Sequence, residues 1–322
     1  MRIALDPWGS DYGSQIAVSH EEDGGDTSVQ VLDERIEDRP WAPVLPSPTT
    51  LPTMTAVVDG VMRSDAPAMV IEGERRALAL FGSYATGAVV INSQVQIAQD
   101  RVVRLFIAGG DWSGPDIIVP AGTGASLPYQ GRSSSADTYD QLRESLTTAM
   151  RESEAQVAEA LSAQDSLILA DGNLTFLSGS SSVVGVIKTI HKMYLAPNRA
   201  AILERLQPGE RTPLFRIVSK RKSEGYNVLT CYLRLARPQL IELPFAGLVR
   251  LEVKASLGAQ KAVALLDQAA VKVFALASRA PKDPRAPQNL VPVGGLERHL
   301  RHRLGDPQLV RRGIEKALRA LL

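Results

Sequence analysis

Apolar and polar positions along the chain change period several times, and each change marks a predicted element. Short alternating runs predict strands at 2–5 and 15–18, then at 54–61, 68–72, 76–81, 85–92 and 101–108. Gly, Ser and Asp punctuate the last four, so they read as a meander. An acidic loop at 21–26 and a Pro-rich connection at 40–52, with Trp41, come before it; proline stiffens that approach and disfavours helix. Residues 109–134 read as loop-rich. Helical spacing begins at 137–162, where Leu142, Leu146, Ala149, Met150, Val157, Ala160 and Leu161 recur and no proline interrupts. Strands at 166–171 and 183–187 follow, then a short helix at 198–206. A hairpin of 214–219 and 227–235 turns around Lys220, Arg221 and Lys222. A strand at 248–253 and helices at 259–277, 291–304 and 307–322 complete the chain. Helices interleaved with strands predict the α/β class, a mixed sheet flanked by helices with additional helices at the C-terminus.

Composition narrows the picture only in places. The 322 residues suffice for one large domain or two smaller ones, and 44% hydrophobic with 22% charged residues are those of a globular protein. Formal net charge is +1, so no global electrostatic case for nucleic acid exists. The distribution is uneven: residues 1–40 are acidic, and from Arg279 onward ten basic residues face four acidic ones. The single cysteine, Cys231, excludes an internal disulfide and a multi-cysteine zinc site, and reads as a small core residue. No apolar run reaches membrane-span length. Asp6 and Pro7 interrupt the N-terminus before any signal-like apolar core develops. A cytoplasmic protein is expected.

The candidate chemistry lies in a repeated signature. Ala56-Val57-Val58-Asp59-Gly60 and Leu167-Ile168-Leu169-Ala170-Asp171-Gly172 each end an apolar run on an aspartate followed by glycine. Each predicts a strand delivering a carboxylate at its C-terminal end, although Asp-Gly serves equally well as a plain turn. Between them, Glu154 lies one turn from both Met150 and Val157 and flanks the buried stripe of the predicted helix. Glu152 is farther round, while Glu144 and Glu159 face solvent. Asp59, Glu154 and Asp171 brought together would repel and need a cation or shared protons. Oxygen ligands favour Mg²⁺ or Mn²⁺, and such ions serve phosphodiester hydrolysis. The order Asp-strand, Glu-helix, Asp-strand is also that of the ribonuclease H-like nucleases. The glycine-rich stretches at 109–134 lack the Gly-Lys-Ser/Thr ending of a phosphate-cradling loop. Asp171-Gly-Asn does not resemble the Asp-x-Asp arrangement of carboxylate phosphotransferases.

The blocks Ala56-Val57-Val58-Asp59-Gly60-Val61, Leu167 to Leu174 and Val183-Val184-Gly185-Val186-Ile187-Lys188-Thr189 resemble successive motifs of the NurA nuclease family. Leu248-Val249-Arg250-Leu251-Glu252-Val253 is similar to a later block. The resemblance runs from about Val57 to Gly305; its order and spacing carry it, because each motif is short. It implies a single domain over 1–322: a lead-in at 1–52, a ribonuclease H-like core at 53–278 and a basic helical segment at 279–322. It further implies a Mn²⁺- (or Mg²⁺-) dependent DNA nuclease, a single-strand endonuclease and 5'-to-3' exonuclease in the processing of double-strand break ends. A homodimer and a partner, the hexameric HerA translocase, are implied as well. By motif, Asp59 and Asp171 match the metal-binding aspartates and Glu154 the helical glutamate, with Glu152 fitting nearly as well. Lys188 falls in the family's Gly-x-x-Lys block, where it would hold a phosphate or the attacking water; as a strand-end lysine it is equally a solvated cap. His191 has the same two readings.

The chain departs from that family near its C-terminus. Archaeal members carry a Tyr-Pro segment and then a metal-site histidine, where Ala286 and Gly294 stand here. Asn289 or Arg285 replaces those groups, or the metal site is incomplete. The second possibility makes the chain a catalytically weak or inactive DNA-binding or regulatory subunit of the translocase. For DNA contact, positive charge within reach selects Arg63, Lys220, Arg221, Lys222, Arg301, Arg303, Arg311 and Arg312. Trp112 and Tyr226 are the candidates for stacking on bases.

Overall fold

The computed structural model describes residues 2–5, 29–33, 36–122, 124–162, 165–179, 182–190, 193–219, 226–238, 246–279 and 286–320. Strands β1 (Arg2–Leu5) and β2 (Val29–Asp33) precede three long antiparallel strands, β3 (Met54–Glu72), β4 (Arg75–Ile91) and β5 (Val95–Ala108). Strands β6 (Ile117–Pro120) and β7 (Ser126–Ser133) follow, then helix α1 (Tyr139–Leu161), β8 (Ser166–Asp171) and β9 (Val183–Ile187). Two single-turn helices, α2 (Pro197–Ala200) and α3 (Ile202–Arg205), lead to β10 (Phe215–Ser219), β11 (Tyr226–Arg234) and β12 (Leu248–Lys254). Helices α4 (Ala259–Leu276), α5 (Val291–Leu304) and α6 (Pro307–Arg319) close the chain.

The mixed α/β class expected from the pattern is what forms. One sheet runs in the order β2-β10-β11-β12-β9-β8-β3-β4-β5-β7-β6, and β1 pairs with the far half of β3. Strands β8 and β9 are parallel to β3, while β4 and β5 meander back antiparallel. The short parallel strands β8 and β9 are apolar and buried on both faces, as central parallel strands require. Helix α1 covers one face. Its start is fixed by a capping box, in which Thr138 accepts from the Gln141 N–H and the Gln141 side chain returns to the Thr138 N–H. Its Val157 and Ala158 pack on Ala56, Val58 and Ile168. Helix α4 covers the opposite face, on Val57, Leu167, Leu169, Val184 and Val186. Helix α5 lies on Val61, Ala85 and Val89 through Leu296 and Leu300. Helix α6 sits in a separate core with Phe81, Phe106, Ile117, Val119 and Tyr129. Cys231 is fully buried in the α4 core.

Two expectations are corrected here. The meander strands are fewer and longer than predicted: the runs 54–61 and 68–72 are parts of one strand, β3, and 76–81 and 85–92 are parts of another, β4. Asp59-Gly60 is therefore not a turn: both residues continue the pairing with β4, and the irregularity comes later, between Ser64 and Ala66. Residues 109–134 are not all loop, since β6 and β7 lie within them and extend the sheet. The predicted strand at 15–18 lies outside the described residues. Among the described residues no helix is long and apolar enough to cross a membrane.

Candidate active site

Strand alternation places the two aspartates. Val57 and Leu169 belong to the core under α4, so Asp59 and Asp171, two residues further on, point to that same face. The β3–β8 register ends at Val58 opposite Ala170, which makes Asp59 and Asp171 the next pair across the parallel strands. Neighbouring strands lie about 4.8 Å apart, so the carboxylates are side by side. At Asp171 the strand does end, and Gly172 turns the chain with φ +82°, where a side chain would strain the backbone.

Glu154 approaches from the other face of the sheet. It is half-buried on α1, and its carboxylate occupies the space left by the absent side chain of Gly60. A Cβ built on Gly60 would come within 2.5 Å of Glu154 Oε1 and 3.0 Å of Met150 Cγ. β8 has already ended at this point, so the edge of β3 is no longer paired with it. Glu152 points elsewhere: it is partly exposed and lies 3.8 Å from Arg132. The structure thus places Asp59, Asp171 and Glu154 within electrostatic reach of one another, with Glu152 apart.

Lys188 follows β9 directly. Its Nζ is 2.8 Å from Asp171 Oδ2 and 3.3 Å from the side-chain oxygen of Asn289, which is fully buried. Asn289 is fixed through its own carbonyl, which accepts the Ser278 N–H at 2.9 Å beside the Ala277–Leu290 bridge. Of the two candidates for the C-terminal replacement, Asn289 therefore reaches the site, while Arg285 lies outside the described residues. Gly294, on α5, has open space around its Cα.

One residue was missed. Glu297 of α5 is buried and raises the proton affinity of Asp59. Val293 shares a core with Val57, and Leu296 and Leu300 share one with Val61, so α5 crosses β3 over the position between them. That position is Asp59. The flank-of-the-stripe reasoning that selects Glu154 applies equally to Glu297, because Val293, Leu296 and Leu300 recur around it.

The electrostatics are those of crowded carboxyls. Burial, and then the charge of Asp171, push the Asp59 carboxyl up to about 7; Lys188 and the Gly60 N–H pull it partly back, and Glu297 adds a smaller push. Burial, followed by the charges of Asp59 and Asp171, holds the Glu154 carboxyl well above the usual range. An excess of buried oxygen ligands over cations matches the demands of a Mg²⁺- or Mn²⁺-like ion. Among the described residues, no three His, Cys, Asp or Glu side chains as placed are close enough to enclose an ion. The fit to a divalent ion therefore rests on charge and donor chemistry.

Of the described residues selected for DNA contact, Arg301 adjoins the site through its ion pair with Glu297, and the others hold different partners or face solvent. Arg63 is engaged inside the protein: Nε bonds Asp65 Oδ1 at 2.7 Å, and its two terminal nitrogens bond the carbonyls of Gly305 and Leu304 at the end of α5. Arg301 pairs with Glu297 at 2.9 Å, Arg303 with Asp100 at 2.7 Å, and Arg311 with Glu315 at 3.1 Å. Arg312 is exposed on α6. Lys220, Arg221, Lys222 and His191 lie outside the described residues. Trp112 carries Arg75 over its ring at 4.9 Å, and the Tyr226 hydroxyl is turned inward to Glu252.

Comparison with known proteins adds a family. The NurA nuclease from Sulfolobus solfataricus is similar in structure, with 10% identity over 88% of each chain and a TM-score of 0.44. A second solved structure of a NurA protein overlaps 42% of this chain and 22% of its own, with 18% identity and a TM-score of 0.20. No curated protein matches. The sequence model of the NurA domain matches residues 81–293, well over half of the chain, and the matched span contains Glu154, Asp171, Lys188 and Asn289. The chain belongs to the NurA family.

Proposed function

We propose that the chain is a metal-dependent deoxyribonuclease with Asp59, Glu154 and Asp171 as its ion-holding carboxylates. The observation that carries this is their convergence at the β3–β8 joint: two aspartates adjacent in register, and a glutamate admitted by Gly60. The meander β3-β4-β5, the helix α1 and the parallel strands β8 and β9 follow the chain order of a ribonuclease H-like core, and this supports that finer fold reading. Membership of a family named for nucleases supports the activity.

Each group has a distinct task. Asp59 and Asp171 present oxygens to one face, and Glu154 closes the site from α1. A bound divalent cation would activate water and offset charge on the phosphodiester. Lys188 keeps Asp171 oriented through the 2.8 Å ion pair and supplies a positive charge to a phosphate oxygen. Asn289 holds the lysine in place. The finer features of the reading rest on the family alone: Mn²⁺ over Mg²⁺, single-strand endonuclease and 5'-to-3' exonuclease action at broken ends, a homodimer, a HerA-type hexameric ATPase and a cytoplasmic setting.

The test is direct. Single-stranded DNA incubated with the protein and Mn²⁺ is cleaved, and chelator stops it. Asp59→Asn and Asp171→Asn lower the rate by at least about 100-fold, as expected when transition-state charge loses its stabiliser. Cleavage by either variant at the parental rate would falsify the assignment. A second reading, a clamp or regulator of the translocase without cleavage, is favoured by Ala286 and Gly294 standing where the family has tyrosine and histidine. It predicts DNA and ATPase binding with no hydrolysis under any divalent ion.

A further inference from the structure

Glu252 of β12 is fully buried, yet it takes no part in the chemistry above. Strand pairing sets it opposite Gly185 of β9, and Gly185 in turn lies opposite Ala170 of β8. Val184, Val186, Leu251 and Val253 fill the core under α4, so Gly185 and Glu252 face the other way. The glutamate lies across the bare backbone of Gly185. A Cβ there would meet Gly172 O at 2.8 Å and Glu252 Cγ at 3.0 Å. Through this window Glu252 Oε1 accepts the buried Leu174 N–H at 2.8 Å, just beyond Asp171. Oε2 accepts from Arg250 Nη1 at 2.8 Å and from the Tyr226 hydroxyl, and the Arg250 guanidinium lies over the Tyr194 ring at 5.0 Å.

The loop leaving Asp171 is anchored at two further points. The Gly172 N–H donates to Val186 O at 3.0 Å. The Ser178 N–H and hydroxyl both donate to Glu159 of α1 at 2.7 Å. Glu159 and Glu252 each bring a carboxylate to a main-chain donor of the loop, and of these anchors only Glu252 reaches it from beyond β9. Charge-assisted bonds of this kind are about twice as strong as neutral ones.

We propose that Glu252 is a positioning residue for Asp171: through the Gly185 window it fixes the loop that sets where the aspartate carboxylate stands. This rests on the nuclease reading. A misplacement of about 1 Å at a reacting group costs on the order of 100-fold in rate, whereas DNA binding is spread over many phosphate contacts.

The experiment compares the parent, Glu252→Gln, Gly185→Ala, Tyr226→Phe and Asp171→Asn on a single-stranded oligonucleotide with Mn²⁺, alongside amide hydrogen exchange. Glu252→Gln and Gly185→Ala are expected to lower kcat roughly 10- to 100-fold with KM within about twofold of the parent. Exchange at Leu174 speeds up while β8 and β9 stay protected. Tyr226→Phe gives a smaller drop of the same kind. A folded Glu252→Gln protein with parental kcat, or a rate loss matched by an equal rise in KM, overturns the proposal. If Glu252→Gln does not fold, Tyr226→Phe decides, and parental kcat with unchanged Leu174 protection overturns it. An inactive parent, or an Asp171→Asn protein as fast as the parent, removes the nuclease reading and this proposal with it. Normal Asp171 dependence beside a silent Glu252→Gln removes the positioning role alone.

Discussion

Burial holds the Asp59 carboxyl at about 7 against an ordinary 3.8, and that has a consequence for stability. Between those two values the native state keeps a proton that the unfolded chain has released. The stabilising contribution is full below 3.8 and is lost as pH rises through about 7. At about 1.4 kcal/mol per pH unit the loss is bounded near ~4 kcal/mol. Glu154 is shifted in the same direction. The metal-free protein should therefore melt at a lower temperature at pH 8 than at pH 6, and Asp59→Asn should flatten that dependence. Thermal melts of both proteins across this range decide it; identical slopes would remove Asp59 as the origin. Arg63 poses the opposite kind of question. Its guanidinium grips Asp65 and the last carbonyls of α5, so Arg63→Ala should cost roughly 1.5–3 kcal/mol of stability. The salt dependence of DNA binding should stay unchanged. A drop in the log–log salt slope by about 0.7 would instead show a lost phosphate contact on a single strand.

At the scale of elements, two glycines let α1 lie close on the sheet, and they should behave differently. A Cβ on Gly60 meets Glu154 Oε1 at 2.5 Å, the far end of a flexible side chain. A Cβ on Gly82 meets Leu146 Cδ2 at 2.6 Å, and Leu146 is fully buried. Gly60→Ala should therefore displace the glutamate, with a large loss of cleavage and little loss of stability. Gly82→Ala should cost about 1–3 kcal/mol by overpacking and leave cleavage near the parental rate. Paired melting and cleavage assays test this, and equal effects of the two substitutions on cleavage would break the link to Glu154. The same glycine explains what could be read from sequence and what could not. The apolar runs that deliver Asp59 and Asp171, and the α1 stripe that flanks Glu154, are local signals, and they were legible. Asp-Gly looks the same at the end of a strand and in its middle. Only the tertiary approach of α1 shows that Gly60 is a space for a carboxylate, whereas Gly172 is a turn. Glycine-rich chain likewise concealed β6 and β7, although they pair with each other as a local hairpin; their attachment to the sheet runs through β5. The stripe of α5 marks Glu297 locally as it marks Glu154, but nothing local says that α5 returns over β3.

At the scale of the whole molecule, the candidate site straddles a joint. Asp59 belongs to the long antiparallel strands on one side, while Asp171, Lys188 and the Glu252 strut belong to the β8-β9-β12 side. The two sides meet where β8 runs parallel to β3, from Met54–Ser166 to Val58–Ala170. Helix α1 packs across that joint on one face, and on the other the α4 core takes in Val57 of β3. Opening the joint would expose apolar surface on both faces and break the β3–β8 ladder together, so the two sides should unfold as one. Tryptophans at opposite ends of the sheet report on this. Trp41 packs edge-on against Phe215 of β10, and Trp112 packs against the α6 core at the β6-β7 end. Variants retaining only Trp41 or only Trp112 should show fluorescence melts that coincide with each other and with loss of cleavage on heating. Well-separated midpoints would mean that the halves are held together only loosely. Asp59 and Asp171 would then owe their adjacency to something other than the β3–β8 pairing, such as a bound cation, and adding Mn²⁺ would draw the two transitions together.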